Sequence, residues 1–249
     1  MGASTPEVDT GTVTGPLWRS AVYRFFAQAL RPPDQWPQDL PIPDLPAPPD
    51  APAAGGSAVA AAIDALVAVP RPALADAYHA AFGHQLGTRA ALDEARYVPG
   101  GVFAQAQCTA DVAGFYRAFG LEVADHARER PDHLSVELEF MHVLAYREAY
   151  ARVHHTSEQV AVVVEAQRRF LEDHLGRWVP VLARIVQAET PGPYARAIAA
   201  LATWVTADAA WLGATLEPDP GLAPPDDAPI PDDDRAACGA GRCPLEVPS

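Results

Sequence analysis

Apolar residues recur at helical spacing along most of the chain, with proline or glycine between the resulting segments. Residues 16–31 carry them largely three and four positions apart, which predicts a first amphipathic helix. Shorter helices are predicted over residues 57–69 and from Pro72 to a stop at Gly83. The strand-like run 160–164 lies inside a well-capped helical period. The pattern therefore predicts an all-α fold.

The helical signal is strongest in the second half of the chain. Thr109 precedes one apolar period and is predicted to be an N-cap, and either Thr156 or Ser157 is predicted to cap the helix that follows them. Gly176 is predicted to break a helix. Residues 84–107 show no sustained period and are predicted to form an irregular crossover. The predicted helices of this half cover residues 109–120, 131 or 132 to 155, 156–175, 178–189 and 194–215. Together with the first half they predict one helical-bundle domain over residues 16–216.

Segments rich in proline or polar residues interrupt and flank this domain. Residues 1–15 are predicted to be disordered, and residues 32–56 form a proline-rich insert whose prolines remove backbone donors. Residues 217–249 combine prolines with acidic residues, a composition that cannot bury a core. They are predicted to be a disordered acidic tail, in which Cys238 and Cys243 are too few for a structural zinc site.

The charge balance narrows the classes of function. The chain has 18 basic residues, all arginine, against 32 acidic residues, a formal net charge of -14. Because no basic stripe or glycine-rich phosphate loop is present in the sequence, nucleic-acid and nucleotide binding are not predicted. No apolar run approaches the roughly 20 residues that span a bilayer, and no secretory signal is recognisable. A cytoplasmic location is expected.

Polar residues are concentrated between Glu129 and His142. On a helix His133 and Glu137 lie four positions apart, so one interpretation is structural, with Asp132 capping the helix and His133 pairing with Glu137. The spacing of Glu139 and His142 also occurs in di-iron four-helix proteins, which makes a carboxylate-bridged metal oxidoreductase the alternative function. Such a site needs a second motif of this kind and two further Glu residues. The later candidates Glu165, Glu172 and His174 do not supply them.

Two adjacent segments carry a specific pattern, A-D-V-A-G-F-Y-R-A-F-G-L-E-V at residues 110–123 and E-R-P-D-H-L-S-V-E-L-E-F-M at residues 129–141. They resemble the central signature of the TorD/DmsD/NarJ family of chaperones dedicated to molybdenum enzymes. The order of the remaining helices is similar from about Ser20 to Leu216. The form E-A-R-Y at residues 94–97 is most similar to the branch that serves nitrate-reductase-like enzymes and hydrocarbon or sulfide dehydrogenases.

The resemblance implies a non-enzymatic, cytoplasmic chaperone with no cofactor and no metal, either a monomer or a homodimer. Such a protein binds the apo-catalytic subunit of a molybdopterin oxidoreductase of the DMSO reductase superfamily, together with a twin-arginine leader where one exists. The family pattern implies a client- or leader-binding region that comprises Tyr78, Phe82, Glu129, Pro131, Asp132, His133 and Glu137. A generic acidic interaction module that binds through its tail is a further alternative.

Overall fold

Helices supply the regular structure in the computed structural model, which describes residues 10–44, 46–83, 90–124, 127, 129–218 and 220–225. Over these ranges there is no strand, only an isolated antiparallel bridge between Asp93 and His133. The all-α prediction is therefore confirmed. The α-helices are α1 (Thr10–Ala29), α2 (Ala53–Val67), α3 (Arg71–Phe82), α4 (Gly101–Ala118), α5 (Leu134–His154), α6 (Ser157–Phe170), α7 (Gly176–Glu189) and α8 (Pro193–Trp211).

Helices α1 and α4 begin six or more residues earlier than their sequence signals indicate. Helix α1 starts at Thr10 and includes Pro16, so it extends into the segment 1–15 that was expected to be disordered. Helix α4 starts at Gly101, eight residues before the expected cap, because Gly100 and Gly101 adopt positive φ values of 108° and 75° that suit a tight turn at a helix start. Thr109 therefore lies inside the helix, where its hydroxyl donates to the Gln105 carbonyl.

The expected break at Gly176 is wrong. A π-helical stretch from Leu171 to Leu175 joins α6 to α7 directly. A Cβ atom on Gly176 would lie 2.4 Å from both the Leu171 carbonyl oxygen and Leu216 Cδ2. Glycine is thus required here by the close approach of the Leu171 carbonyl in the π-helical turn, and the Leu216 side chain packs into the same space, so this glycine does not stop a helix.

The core lies between two sets of packed helices. Helix α1 packs on α5, and α8 packs between α2 and α7. Trp18 and Trp204 join the sets through an edge-to-face contact with ring centroids 5.2 Å apart, the arrangement that aromatic pairs prefer. Both residues are buried, so the aromatic contact forms part of the interior.

Buried charges also tie the helices together. The Arg19 guanidinium donates from two nitrogens to the Asp208 carboxylate, and a third nitrogen lies 3.0 Å from Glu148 Oε2. The Tyr23 hydroxyl donates to Asp208 over 2.6 Å, and Gln167 donates to Glu148 over 2.9 Å. These five buried residues belong to α1, α5, α6 and α8, so one network fixes the relative positions of four helices.

The described parts of the proline-rich insert and of the predicted tail both pack on the bundle. In the insert, Trp36 is buried and its indole donates to the Arg31 carbonyl, and α2 begins within the range assigned to the insert. At the other end, the Ala223 amide donates to the Tyr97 carbonyl over 3.1 Å, and Pro225 is buried. The tail prediction for residues 226–249, including Cys238 and Cys243, lies outside the described residues.

The lengths and compositions of the described helices bear on whether the chain can cross a membrane. No single helix among them is both long enough and apolar enough to cross a bilayer. The helices α2 and α3 meet the length and composition criteria only as a pair, and that pair is bent by 110°.

Candidate functional site

A groove of about 710 Å³ lies between the end of α1, the segment after α4 and one face of α5. Its α5 residues are Val136, Glu139, Phe140 and Val143, which recur at intervals of three and four and therefore share one side of the helix. The other lining residues come from the end of α1 and its following turn (Arg31, Asp34, Gln35), from α4 (Tyr116), and from the segment after α4 (Leu121, Glu122, Val123, Ala124, Ala127, Glu129).

The floor of the groove is apolar and held in place by aromatic packing. The Phe140 ring is buried and lies 4.8 Å from the Tyr116 ring, centroid to centroid. The Tyr116 hydroxyl donates to the Pro131 carbonyl over 2.7 Å, which fixes the start of the motif before α5 against α4. The apolar floor is thus a rigid part of the bundle.

The rim of the groove is acidic. Four carboxylates line it, those of Asp34, Glu122, Glu129 and Glu139, against one guanidinium, that of Arg31. Arg31 lies 3.3 Å from Glu139, so one of the four carboxylates already has a cationic partner. A groove with an apolar floor and an excess of carboxylates suits a peptide that combines cationic and apolar residues.

Asp132 lies in the interior of the protein, directly before α5. Its carboxylate accepts from the Arg130 guanidinium over 2.9 Å and from the Ala95 amide over 3.1 Å. Its carbonyl oxygen accepts from the Glu94 amide over 2.8 Å. The side chain is fully buried, so its contacts hold the crossover segment against the motif. The interpretation that Asp132 caps α5 is wrong.

His133 is the residue that caps α5. Its Nδ1 accepts from the Ser135 amide over 3.2 Å, as a capping side chain does. Burial, opposed by the negative charge of Glu129, lowers the pKa of the His133 imidazole to about 4. The neutral ring that the cap needs is therefore the form present at neutral pH.

Glu137 lies inside the bundle and does not pair with His133. Its carboxyl accepts from the Trp178 indole over 3.1 Å and is fully buried. Burial first, and then the charge of Glu94, raise the pKa of Glu137 well above its ordinary value. Glu94 itself lies 2.9 Å from His174 Nδ1, so these residues form a buried polar cluster behind the groove.

Tyr78 and Phe82 form an aromatic cluster with Tyr194 of α8. The three ring centroids lie between 5.1 and 5.6 Å apart, in edge-to-face contacts. Burial first, and then the negative charges of Glu129 and Asp34, raise the pKa of the Tyr78 hydroxyl.

Of the seven residues that the resemblance implies, Glu129 lines the groove itself. The other six do not line it. Asp132 and Glu137 are buried, Pro131 and His133 lie directly before α5, and Tyr78 and Phe82 pack against Tyr194. The sequence interpretation missed the groove residues at the end of α1 and after α4, because their approach to α5 depends on tertiary packing. The 136/139/140/143 spacing on α5 is the signal that was available in the sequence.

The two residues of the metal alternative have other partners. Glu139 is exposed and pairs with Arg31, whereas His142 Nδ1 lies 2.8 Å from the Ser20 hydroxyl and 3.0 Å from the Ser20 carbonyl oxygen. Among the residues that the structure describes, no three His, Cys, Asp or Glu side chains are arranged to hold a metal ion. Their geometry therefore does not favour the metal oxidoreductase.

The fold and the groove define an all-helical protein with an acidic, apolar-floored surface suited to peptides. The family described as nitrate reductase delta subunit matches residues 49–184, which is more than half of the chain. The chain therefore belongs to the nitrate reductase delta subunit family, and the resemblance to the TorD/DmsD/NarJ family is confirmed.

Three relatives with assigned names are similar to parts of the chain. A perchlorate reductase assembly chaperone protein of Dechloromonas aromatica is 40% identical over 79 residues, 32% of this chain and 34% of the relative. A selenate reductase assembly chaperone protein of Thauera selenatis is 37% identical over 100 residues, 40% of this chain and 50% of the relative. The chaperone protein TorD of Vibrio cholerae is 33% identical over 81 residues, 32% of this chain and 36% of the relative. The matches thus span between a third and a half of the relatives.

Proposed function

We propose that this protein is a cytoplasmic, non-enzymatic chaperone that binds the apo-catalytic subunit of a molybdopterin oxidoreductase of the DMSO reductase superfamily and assists cofactor insertion and assembly. Family membership supports the proposal, as do the names of the relatives, two of which are assembly chaperones of reductases. The groove along α5 is the proposed site for the arginine-containing leader of that subunit.

The leader-binding step is supported by one observation, a groove whose floor is apolar and whose rim has more carboxylates than guanidinium groups. An arginine that meets a carboxylate makes a charge-assisted hydrogen bond, which is stronger than a neutral one. Glu122 is exposed and Glu129 is half-buried, and both line the groove after α4. Glu122 can therefore meet a guanidinium directly, and Glu129 adds negative charge to the same groove. The apolar floor from Val136 to Val143 provides contact for uncharged residues of the same peptide.

The proposal is tested first with the intact partner. Co-expression with a candidate apo-catalytic subunit, followed by purification through a tag on this protein, should yield a complex that lacks molybdopterin. A synthetic peptide with two adjacent arginines followed by an apolar run should bind the purified chain, with an affinity that falls as salt increases. The proposal is refuted if neither the candidate subunits nor the peptide binds.

The site is tested by removing rim charges. Changing Glu122→Gln together with Glu129→Gln should weaken peptide binding at least about tenfold, equivalent to about 1.4 kcal/mol. The matched control is Asp64→Asn with Asp173→Asn, which removes the same charge from exposed positions on α2 and the π-helical stretch. Equal losses in both variants would mean that net charge, rather than the groove, governs binding.

Truncation after residue 225 separates the groove from the tail. The groove residues all lie before that position, so peptide and subunit binding should survive the truncation. Loss of binding would instead assign capture to the acidic tail, the third interpretation of the sequence.

A further inference from the structure

A second compartment continues the groove along α5. It has a volume of about 530 Å³ and lies between α1, residues 41–44 of the insert and the middle of α5. Val143 lines both compartments, so they adjoin on the surface of α5. The apolar residues of the second compartment are Leu17, Ala21, Pro41, Ile42, Val143 and Tyr146.

The second compartment has the opposite charge from the first. Two guanidinium groups, those of Arg24 and Arg147, line it against the single carboxylate of Asp44. Its imidazole, that of His142, has a pKa lowered by burial and by the charge of Arg24, so it adds no positive charge at neutral pH. A cationic peptide segment is attracted to the first compartment and repelled by the second.

An exposed apolar stripe extends the second compartment toward the end of α5. Tyr146, Tyr150 and Val153 recur at intervals of four and three, and their exposed fractions are 55%, 53% and 39%. Ile42 of the insert is 42% exposed and faces the same compartment as Tyr146. Adjacent exposed apolar side chains of this kind mark interaction surfaces.

We propose that the second compartment and this stripe bind the apolar segment that follows the arginines of the client leader. The leader then runs along α5 in one direction, with its arginines at the Glu122 and Glu129 end and its apolar segment toward Val153. This inference rests on the proposed function, because it concerns the same ligand. The opposite charges of the two compartments determine the direction of the bound peptide. The apolar stripe determines how far along α5 the peptide extends.

The dimensions of the surface fit such a segment. Val143 and Val153 are ten residues apart on one helix, a distance of about 15 Å at 1.5 Å per residue. A helical apolar segment of about ten residues has the same length, and the apolar regions of export leaders contain roughly 7 to 15 residues. The first compartment then accommodates only the arginines and their immediate neighbours.

The test compares two peptides by fluorescence anisotropy on the full chain. The long peptide has two arginines followed by ten apolar residues, and the short peptide ends soon after the arginines. Tyr146→Ser with Tyr150→Ser should weaken binding of the long peptide at least about tenfold and leave the short peptide unchanged. The matched control is Val102→Ser with Phe103→Ser, which removes exposed apolar side chains at 84% and 83% exposure outside both compartments.

A photo-crosslinker at the apolar end of the long peptide tests the direction. It should react with the surface around Ile42 and Tyr146 and not with residues 121–129. The inference is overturned if the tyrosine changes leave the long peptide's affinity intact, if they change only the oligomeric state, or if the crosslinks reverse. In those cases the Glu122 and Glu129 changes still lower the affinity for both peptides. If the proposed function itself is wrong, neither peptide binds the unaltered chain.

Discussion

Replacing Glu137 with glutamine separates a structural role for this residue from a role in peptide binding. Glu137 is fully buried, accepts from the Trp178 indole and lies near the charge of Glu94. A glutamine keeps an oxygen that accepts from the indole and has nearly the same volume. It also removes the possibility of a second negative charge beside Glu94. Glu137→Gln should therefore retain the fold and alter the dependence of stability on pH.

The sign of the change follows from the pKa of Glu137. Burial raises that pKa above its ordinary value of 4.5, so the folded chain binds more protons than the unfolded chain above pH 4.5. The free energy of unfolding contributed by this group is fully present below pH 4.5 and is lost as the pH rises through the folded pKa. The loss proceeds at up to about 1.4 kcal/mol per pH unit. The glutamine variant lacks this loss and should be the more stable protein at neutral pH.

Urea unfolding of both proteins between pH 4.5 and 8.5 measures this difference directly. The free energy of unfolding of Glu137→Gln minus that of the unaltered chain should increase with pH and then level off. Glu139→Gln on the same helix is the control, because its exposed pair with Arg31 contributes no more than about 1 kcal/mol. A difference that is constant across the range, or that decreases with pH, would refute the reasoning. Peptide affinity should stay unchanged in Glu137→Gln; a tenfold loss would place this residue in the binding site.

Three further predictions concern the residues that support the groove and the bundle. As the pH falls from 6.5 to 4, the free energy of unfolding of the unaltered chain, measured in urea, should fall relative to that of His133→Asn. The reason is that the histidine cap protonates over this range, whereas an asparagine cap does not titrate. Asp132→Ala should cost about 1–3 kcal/mol by the same assay, since it leaves the buried Ala95 amide without its acceptor; an unchanged midpoint would contradict this. Asp208→Ala should cost about 3–5 kcal/mol because it leaves the buried Arg19 guanidinium without its main partner, whereas Asp64→Ala on the surface should stay within about 0.5 kcal/mol.

The sequence predicted helix ends well where a capping residue or a glycine stop lies at the end itself. Thr156 was one of two expected caps for α6, and it forms a reciprocal capping box with Gln159. Gly83 follows the end of α3 as expected. In contrast, the start of α4 and the continuity through Gly176 depend on backbone conformation at glycines, where positive φ values or a π-helical turn are allowed. The glycines themselves were recognised in the sequence, but their conformations do not follow from apolar spacing, so these boundaries were wrong.

In the candidate site, too, the residues could be recognised from the sequence but their contacts could not. The motif around Asp132 and His133 was recognised from its residues, but its contacts were not. Asp132 binds the crossover segment 37 residues earlier in the chain, and Glu137 meets Trp178 41 residues later. Partners this far apart in sequence are brought together only by the packing of separate helices. Spacing within one helix therefore led to the incorrect pairing of His133 with Glu137.

The two sides of α5 show how residues of the motif before it that do not line the groove can still affect the shape of the groove. On the inner side, Glu137 and Glu148 hold buried partners on α7 and α1, so the helix has little freedom to shift or rotate. On the outer side, Val136, Glu139 and Val143 line the groove. Because both sets of residues belong to one rigid helix, contacts that fix the inner side also fix the spacing of the outer side. Changes to Asp132 should therefore affect a bound peptide through the position of the crossover and of α5, rather than through direct contact.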